Sequence, residues 1–310
     1  VIPPDDAEPP SPLFEQSLPP RTGPVARLRP ARFAGTLYPA DPLEIRRTVQ
    51  RLLGVSPPDS FRPRRPLPRA LGLVLPHGPW SHVGKLVADG AKRGLVEETV
   101  VLLAPNHAGR GPRSAIVCDG GYVLPGGTTV PIEGPLAESI RGLGGLTEAP
   151  EVFTDEHAIE VLLPFLVAVQ SRLAIVPIAI HDLVPQMAAR IGAAIADAIV
   201  GRGGGATIVA TTDLAHYVPR ASLAAATDDL VEKTVALDDE GLVSVFRGRT
   251  SEHTPGPVIE TCGLGALLTF VHAMRALGAS RGEIVGRAST ADLEGERGAA
   301  VAYGTFAFLR

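Results

Sequence analysis

Five side chains in this sequence are best suited to chemistry: His77, His107, Asp213, His216 and Cys262. The first four follow apolar runs. "LGLVLPH" delivers His77, "VVLLAPNH" delivers His107, and "TIVATTDLAH" delivers Asp213 and His216. Polar groups crowded at the end of a buried strand are costly unless something binds there. In open α/β sheets the crevice outside the strand C-termini is where ligands sit, so residues far apart in sequence converge on it. A lone histidine after a strand is usually structural. Three segments ending in the same way carry more weight.

Cys262 lies just before or within the first turn of the apolar pattern "GLGALLTFVHAMRALG". Free N–H groups and the helix dipole at such a start favour anionic sulfur, which predicts a lowered thiol pKa. Gly263 and Gly265 allow backbone or ligand to approach closely. Two imidazoles and one thiolate suit a borderline divalent metal such as iron, copper or zinc. Asp213 and His216, three residues apart, are expected to face one pocket and to relay protons beside the metal rather than ligate it. Cys118, inside "SAIVCDG", reads as a small core residue. Glu156, His157 and Glu160 in "TDEHAIEVLLPFL" crowd a helix start, where they either cap the helix or line the pocket wall. His82, His181, His253 and His272 share no pattern and read as structural or surface residues.

These residues need a scaffold. "ALGLVLPH", "TVVLLAPNH", "AIVPIAI" and "TIVATTD" read as buried strands, alternating with helical patterns at "HVGKLVADGAKRGL", 157–172 and 183–200. "SAIVCD" and "YVLPGGTTVPI" add strands and a hairpin. Helical regions follow near 221–247 and 262–277, and "VAYGTFAFL" closes the chain as a strand. Strands alternating with helices of this length predict an α/β fold, a central mixed, largely parallel sheet with helices on both faces. Asp41-Pro42-Leu43-Glu44 marks a helix start, with an acidic cap and proline in the first turn. Residues 1–30 are dense in proline and read as an extended or mobile tail, dispensable for folding, ahead of one domain over 31–310.

The 310 residues are 45% hydrophobic, enough for a large core, and carry a formal net charge of −4, which argues against nucleic acid or acidic lipid as partner. The basic run "RPRRPLPR" at 62–69 is interleaved with proline and reads as a solvated linker. Two cysteines exclude a disulfide framework and fit a reducing compartment. No leading apolar run resembles a signal peptide, and the longest apolar tract is broken by Gln170, Ser171 and Arg172. A cytoplasmic protein without a membrane partner is expected.

In order along the chain, "FAGTLYPADP", "VLLAPNH", "DEHAIEVLLPFL", "TTDLAHY" and "TCGLGA" resemble the Memo family (mediator of cell motility), known in bacteria and archaea as the B component of the AmmeMemoRadiSam system. The similarity runs from about residue 30 to the C-terminus. Members share a fold with class III (LigB-like) extradiol dioxygenases, which open catechol rings with non-heme iron(II). The resemblance implies a metal held by His77, His107 and Cys262, with Asp213 and His216 as the neighbouring catalytic pair. Iron(II) is the favoured metal, with copper or zinc as alternatives. Trp80, Asn106, Glu156, His157 and Tyr217 stand in or beside these motifs and are the candidate substrate-binding residues. Where the family has a tyrosine after its first histidine, this chain has Trp80 at or near that position. Ala158, Thr211 and Thr212 replace family serines. The ligand set survives while the pocket wall changes.

Two functions follow. One is a metal-dependent oxidoreductase of the extradiol type acting on a small molecule. The other is a non-catalytic adaptor that uses the same pocket to bind a metal or a peptide. Metal-assisted hydrolysis is a weaker third. Other AmmeMemoRadiSam components are the implied protein partners.

Overall fold

The computed structural model of the chain describes residues 27–55, 66–181, 184–250, 261–293 and 299–310. Along it run β1 (Leu28–Pro30), α1 (Pro42–Leu53), β2 (Ala70–Leu75), α2 (Trp80–Ala91), β3 (Thr99–Pro105) and β4 (Ser114–Ile116). Then come β5 (Gly121–Val123), β6 (Thr129–Pro131), α3 (Gly134–Gly144), β7 (Thr147–Glu148), α4 (Leu163–Val169) and β8 (Ala174–Ile180). α5 (Pro185–Gly201), β9 (Ala206–Thr211), β10 (Ala215–Pro219), α6 (Leu223–Val235) and α7 (Asp239–Thr250) follow. The chain closes with α8 (Leu264–Ala276), β11 (Glu283–Ser289), α9 (Thr290–Leu293) and β12 (Ala299–Leu309).

Nine strands form the main sheet in the order β10-β12-β2-β9-β3-β8-β4-β7, with β11 also paired to β12. The central four, β2-β9-β3-β8, are parallel, and antiparallel pairings of β12 with β2 and of β4 with β8 flank them. The expected mixed, largely parallel α/β sheet is therefore present. β2, β3 and β9 are buried at every position, which is why they read as continuous apolar runs instead of alternating ones.

Helices cover both faces. α8 packs on β2, β3, β8 and β9, with α5 against it; α2 packs on β2, β11 and β12, with α1 and α4 against it. β2 shows the alternation: Gly72 lies under Phe270 and Met274 of α8, while Leu75 lies under Gly90 of α2. Among the described residues no helix is long and apolar enough to cross a membrane.

Three expectations shift. The helix expected at 157–172 is shorter: a 3-10 turn at Glu160–Leu162 leads into α4, and Pro164 stands in that helix's first turn. Glu156 and Glu160 are drawn into tertiary hydrogen bonds, so the segment before α4 does not continue the helix backwards. The tail boundary also moves. Leu28–Pro30 form β1, paired in parallel with β5 in a small sheet completed by β6. Arg29 explains why these residues dock, since its guanidinium meets the buried Glu160 carboxylate at 2.6 Å. Residues 1–26, part of the basic linker and His253 lie outside the described residues. Finally, "SAIVCD" is a strand only over Ser114–Ile116. The predicted start of α1 holds: Asp41 accepts from the Leu43 N–H at 2.9 Å.

Candidate metal centre

Parallel strands share the direction of their ends. β2, β9 and β3 are adjacent, so the residues just past Leu75, Thr211 and Pro105 emerge on one edge of the sheet. Pro76 and Pro105 cannot donate to a ladder, and both precede the site residues closely. His77, Asp213 and His107 are thereby brought together across more than a hundred residues of sequence.

Cys262 arrives from the other side. It immediately precedes Gly263, the N-cap of α8. A Cβ on Gly263 would lie 2.5 Å from the Thr211 carbonyl oxygen and 2.7 Å from Thr212 Cβ, so only glycine lets this turn seat against the end of β9. The Gly263 N–H donates to Thr212 Oγ1 at 3.0 Å, closing the contact.

One ligand atom from each of His77, His107 and Cys262 lies within 4.8 Å of the others. Sγ of Cys262 is 3.2 Å from Nε2 of His77. A tetrahedral ion with bonds of about 2.0 Å to nitrogen and about 2.3 Å to sulfur needs donors roughly 3.3–3.6 Å apart. The set fits such an ion after small side-chain adjustments.

The contacts behind the ligands orient them. Ligation through Nε2 puts the His77 proton on Nδ1, where Thr211 Oγ1 stands at 2.8 Å. Nδ1 of His107 meets Glu156 Oε1 at 2.9 Å, and the His107 backbone N–H donates to Glu156 Oε2 at 2.8 Å. Burial alone would raise the Glu156 pKa, but hydrogen bonds from His107 and from the Ala158 N–H outweigh it and hold the carboxyl down at about 2. An ionised carboxylate at Nδ1 keeps the proton there and leaves Nε2 for a metal.

His77 is 1% exposed. Burial drives its pKa down to about 3, so the ring is neutral and ready to donate a lone pair. The His107 side chain is 32% exposed and opens the site to solvent. The thiol departs from expectation. Burial and then the Asp213 charge push the Cys262 pKa up rather than down, against the Asp213 N–H at 3.4 Å, the Thr212 hydroxyl and the Cys262 backbone N–H. Desolvation is the largest influence on this thiol, ahead of every hydrogen bond that favours the anion. A bound cation would supply the stabilisation that a thiolate lacks there.

Asp213 sits between two partners. Its Oδ1 accepts the His77 backbone N–H at 3.2 Å, and its Oδ2 lies 3.3 Å from His216 Nε2. Burial would raise the Asp213 pKa; the neighbouring His77 and the His216 hydrogen bond overcome it and lower the value. His216 and Cys262 also come within ligand distance of Asp213.

The remaining candidates separate. His157 belongs to the cluster: its ring stacks on His107 at 4.6 Å and meets His77 edge-on at 5.4 Å. Burial, then repulsion from His107, lowers its pKa. Glu156 is an anchor for His107, and both its oxygens accept hydrogen bonds within the chain. Trp80 is packing: its ring lies against Tyr38 and Phe165, and its N–H is satisfied by the Val161 carbonyl at 2.9 Å. Asn106 is buried and shapes the turn after β3 by donating to the Arg110 carbonyl, while its Oδ1 has no partner among the described residues. Tyr217 is 76% exposed beside His216, with φ at +54°, where β10 bulges against β12. Cys118 is buried, as expected. Thr211 behind His77 is legible in the sequence only as a polar residue at a strand end.

Fold and cluster define a class: an α/β protein with a two-imidazole, one-thiol cluster at the C-terminal ends of the parallel strands of a mixed sheet. The family model for Memo-like proteins matches residues 29–307, and the chain belongs to that family. The MEMO1 family protein MK0963 of Methanopyrus kandleri is 32% identical over 289 residues, spanning 89% of this chain and 97% of that one. A MEMO1 family protein of Aquifex aeolicus is 28% identical over 288 residues, spanning 91% of this chain and 100% of its own. Among solved structures, the uncharacterized protein JW3007 from Escherichia coli K12 superposes with a TM-score of 0.54 at 15% identity, over 77% of this chain and 100% of that one. That likeness concerns the fold alone.

Proposed function

We propose that this protein is a non-heme metal-dependent oxidoreductase related in chemistry to the extradiol dioxygenases, with iron(II) the favoured ion at His77, His107 and Cys262. One observation carries the reading: both histidines have Nδ1 engaged, by Thr211 and Glu156, so each can turn Nε2 toward Sγ. Two nitrogens and a sulfur suit iron, copper or zinc, and three protein ligands leave positions for exogenous groups. When bound, any of these ions would supply Lewis-acid chemistry, and iron or copper one-electron chemistry as well.

The chain supplies the rest. Asp213 holds His216 through Nε2 at 3.3 Å. Imidazole is the side chain suited to carry a proton near neutral pH. His157 offers a second imidazole face beside His107. A small molecule entering past His107 meets both rings. The thiol as third ligand, where extradiol enzymes use a carboxylate, would donate more charge to the ion and change its redox behaviour.

The test is anaerobic purification, elemental analysis, and dioxygen consumption with a panel of catechols and diols. One equivalent of iron and metal-dependent oxygen uptake are expected. Full metal occupancy with no turnover on any of them would favour the adaptor reading, in which the same pocket holds a metal or a peptide.

A further inference from the structure

Arg29 lies outside the cluster, yet all three of its guanidinium nitrogens are spent on one segment that serves it. Nε donates to the Phe153 carbonyl at 2.6 Å, Nη2 to the Glu156 carbonyl at 2.9 Å, and Nη1 to Glu160 Oε2 at 2.6 Å. Glu160 is fully buried and takes three more donors: the Arg32 and Phe33 N–H groups at 3.0 and 2.9 Å and the Tyr38 hydroxyl at 2.9 Å. The segment between Phe153 and Glu160 belongs to no long helix and no strand; only short 3-10 turns border it. Its own backbone bonds therefore do little to fix it, and the planar fork of an arginine supplies what they lack.

From this we infer that Arg29, seated on Glu160, is a positioning residue for the metal centre. It clamps the backbone of Glu156 so that the carboxylate of Glu156 stays on Nδ1 of His107. The inference rests on the metal-binding reading of His77, His107 and Cys262. The line of contacts is short: the Arg29 guanidinium to the Glu156 carbonyl, and the Glu156 carboxylate to both the backbone and the ring of His107. The same strap brings the Phe33 ring to 5.5 Å from His157. A buried ion pair is a poor device for stability, since apolar residues of equal volume often do as well. Its value here is placement. A lysine cannot replace it, because a single ammonium cannot reach two carbonyls and a carboxylate in one plane.

Cobalt(II) alone is the probe, added to the full chain, with affinity and the thiolate-to-cobalt absorption as readouts. Wild type, Arg29→Ala, Arg29→Lys and Tyr38→Phe are compared, with folding followed by circular dichroism. Arg29→Ala is expected to weaken cobalt binding by about 10–100-fold, the usual effect of losing an outer partner, and to change the absorption. Low, non-denaturing guanidinium should restore both, entering by the groove that Arg27, Arg29, Tyr122 and Phe153 line. Arg29→Lys should resemble Arg29→Ala, and Tyr38→Phe should shift affinity a few-fold in the same direction. Wild-type affinity and spectrum in a folded Arg29→Ala overturn the clamp. So does a loss in a folded Arg29→Ala that does not answer to guanidinium. If Arg29→Ala does not fold, Tyr38→Phe decides: cobalt binding identical to wild type overturns the proposal. No cobalt binding by the wild type would instead remove the metal reading beneath it.

Discussion

Among the described residues, the groups that hold three metal-competent atoms within 4.8 Å of one another fall in two regions, three overlapping groups at the central strand ends and one apart from them. From the first come His77, His107 and Cys262; the second is Cys118, Glu138 and Glu148. Counting donors does not distinguish them. Their surroundings do. In the first, Thr211 and Glu156 stand behind the imidazoles and set their tautomers. In the second, Glu138 and Glu148 are exposed, and Glu138 is already paired with Arg141 at 2.6 Å. Burial, and then Glu138 itself, push the Cys118 thiol up to about 12. The first group lies at the central strand ends where three chain segments converge, and the second lies by β4 and the edge strand β7. Preorganisation by the groups behind the ligands, more than proximity, is what makes a site.

The contrast is broken most directly at the ligands. His77→Ala, His107→Ala and Cys262→Ser should each reduce metal occupancy to near zero by elemental analysis, while Glu138→Gln and Glu148→Gln leave it unchanged. Loss from the second pair, with retention in the first three, would reverse the assignment. Next in size is His216→Ala, which should keep its metal and lose about 10²–10⁴-fold of any oxygen-dependent turnover, as a proton carrier does. An empty site in that variant would make His216 a ligand. Smaller again, Glu156→Gln should weaken metal binding by about 10–100-fold and Thr211→Val by less, measured by competition with a chelator.

Acid should expose the same difference in the metal-free protein. His77, ordinarily near 6.5, is held at about 3, and Glu156, ordinarily near 4.5, at about 2. Across both windows the unfolded chain binds more protons than the folded one, so stability falls as pH drops from about 6.5. Melting temperatures should decline along that range, and Glu156→Gln should flatten only the part below about 4.5. A curve level from pH 7 to 4 would show that His77 is not buried neutral. The smallest effect is reserved for Cys118→Ala, which should leave both metal content and the acid profile as they are.

Much of the fold and of the candidate site is legible in the residues themselves because each feature is local. An apolar run ended by proline and histidine reads as a parallel strand delivering a side chain to the sheet edge, as at "LVLPH" and "LLAPNH". Glycine after Cys262 marks a close turn. Trp80 and Glu156 are harder, since a motif cannot say which way a side chain faces. One joins the aromatic core with Tyr38 and Phe165, and the other is the anchor of His107.

By itself the sequence determined the α/β alternation, the order in which histidines and cysteine meet the strand ends, and the family, because these depend on residue type and spacing along the chain. Only the tertiary structure decided the rest. It put Arg29, from the edge of a proline-rich stretch, on Glu160, more than a hundred residues away, and spent Glu156 on His107. It also raised the Cys262 thiol that its place before a helix should have lowered. The physical reason is common to all three. Desolvation and hydrogen-bond partners come from segments distant in sequence, and at a buried site they outweigh what neighbouring residues and a helix end contribute.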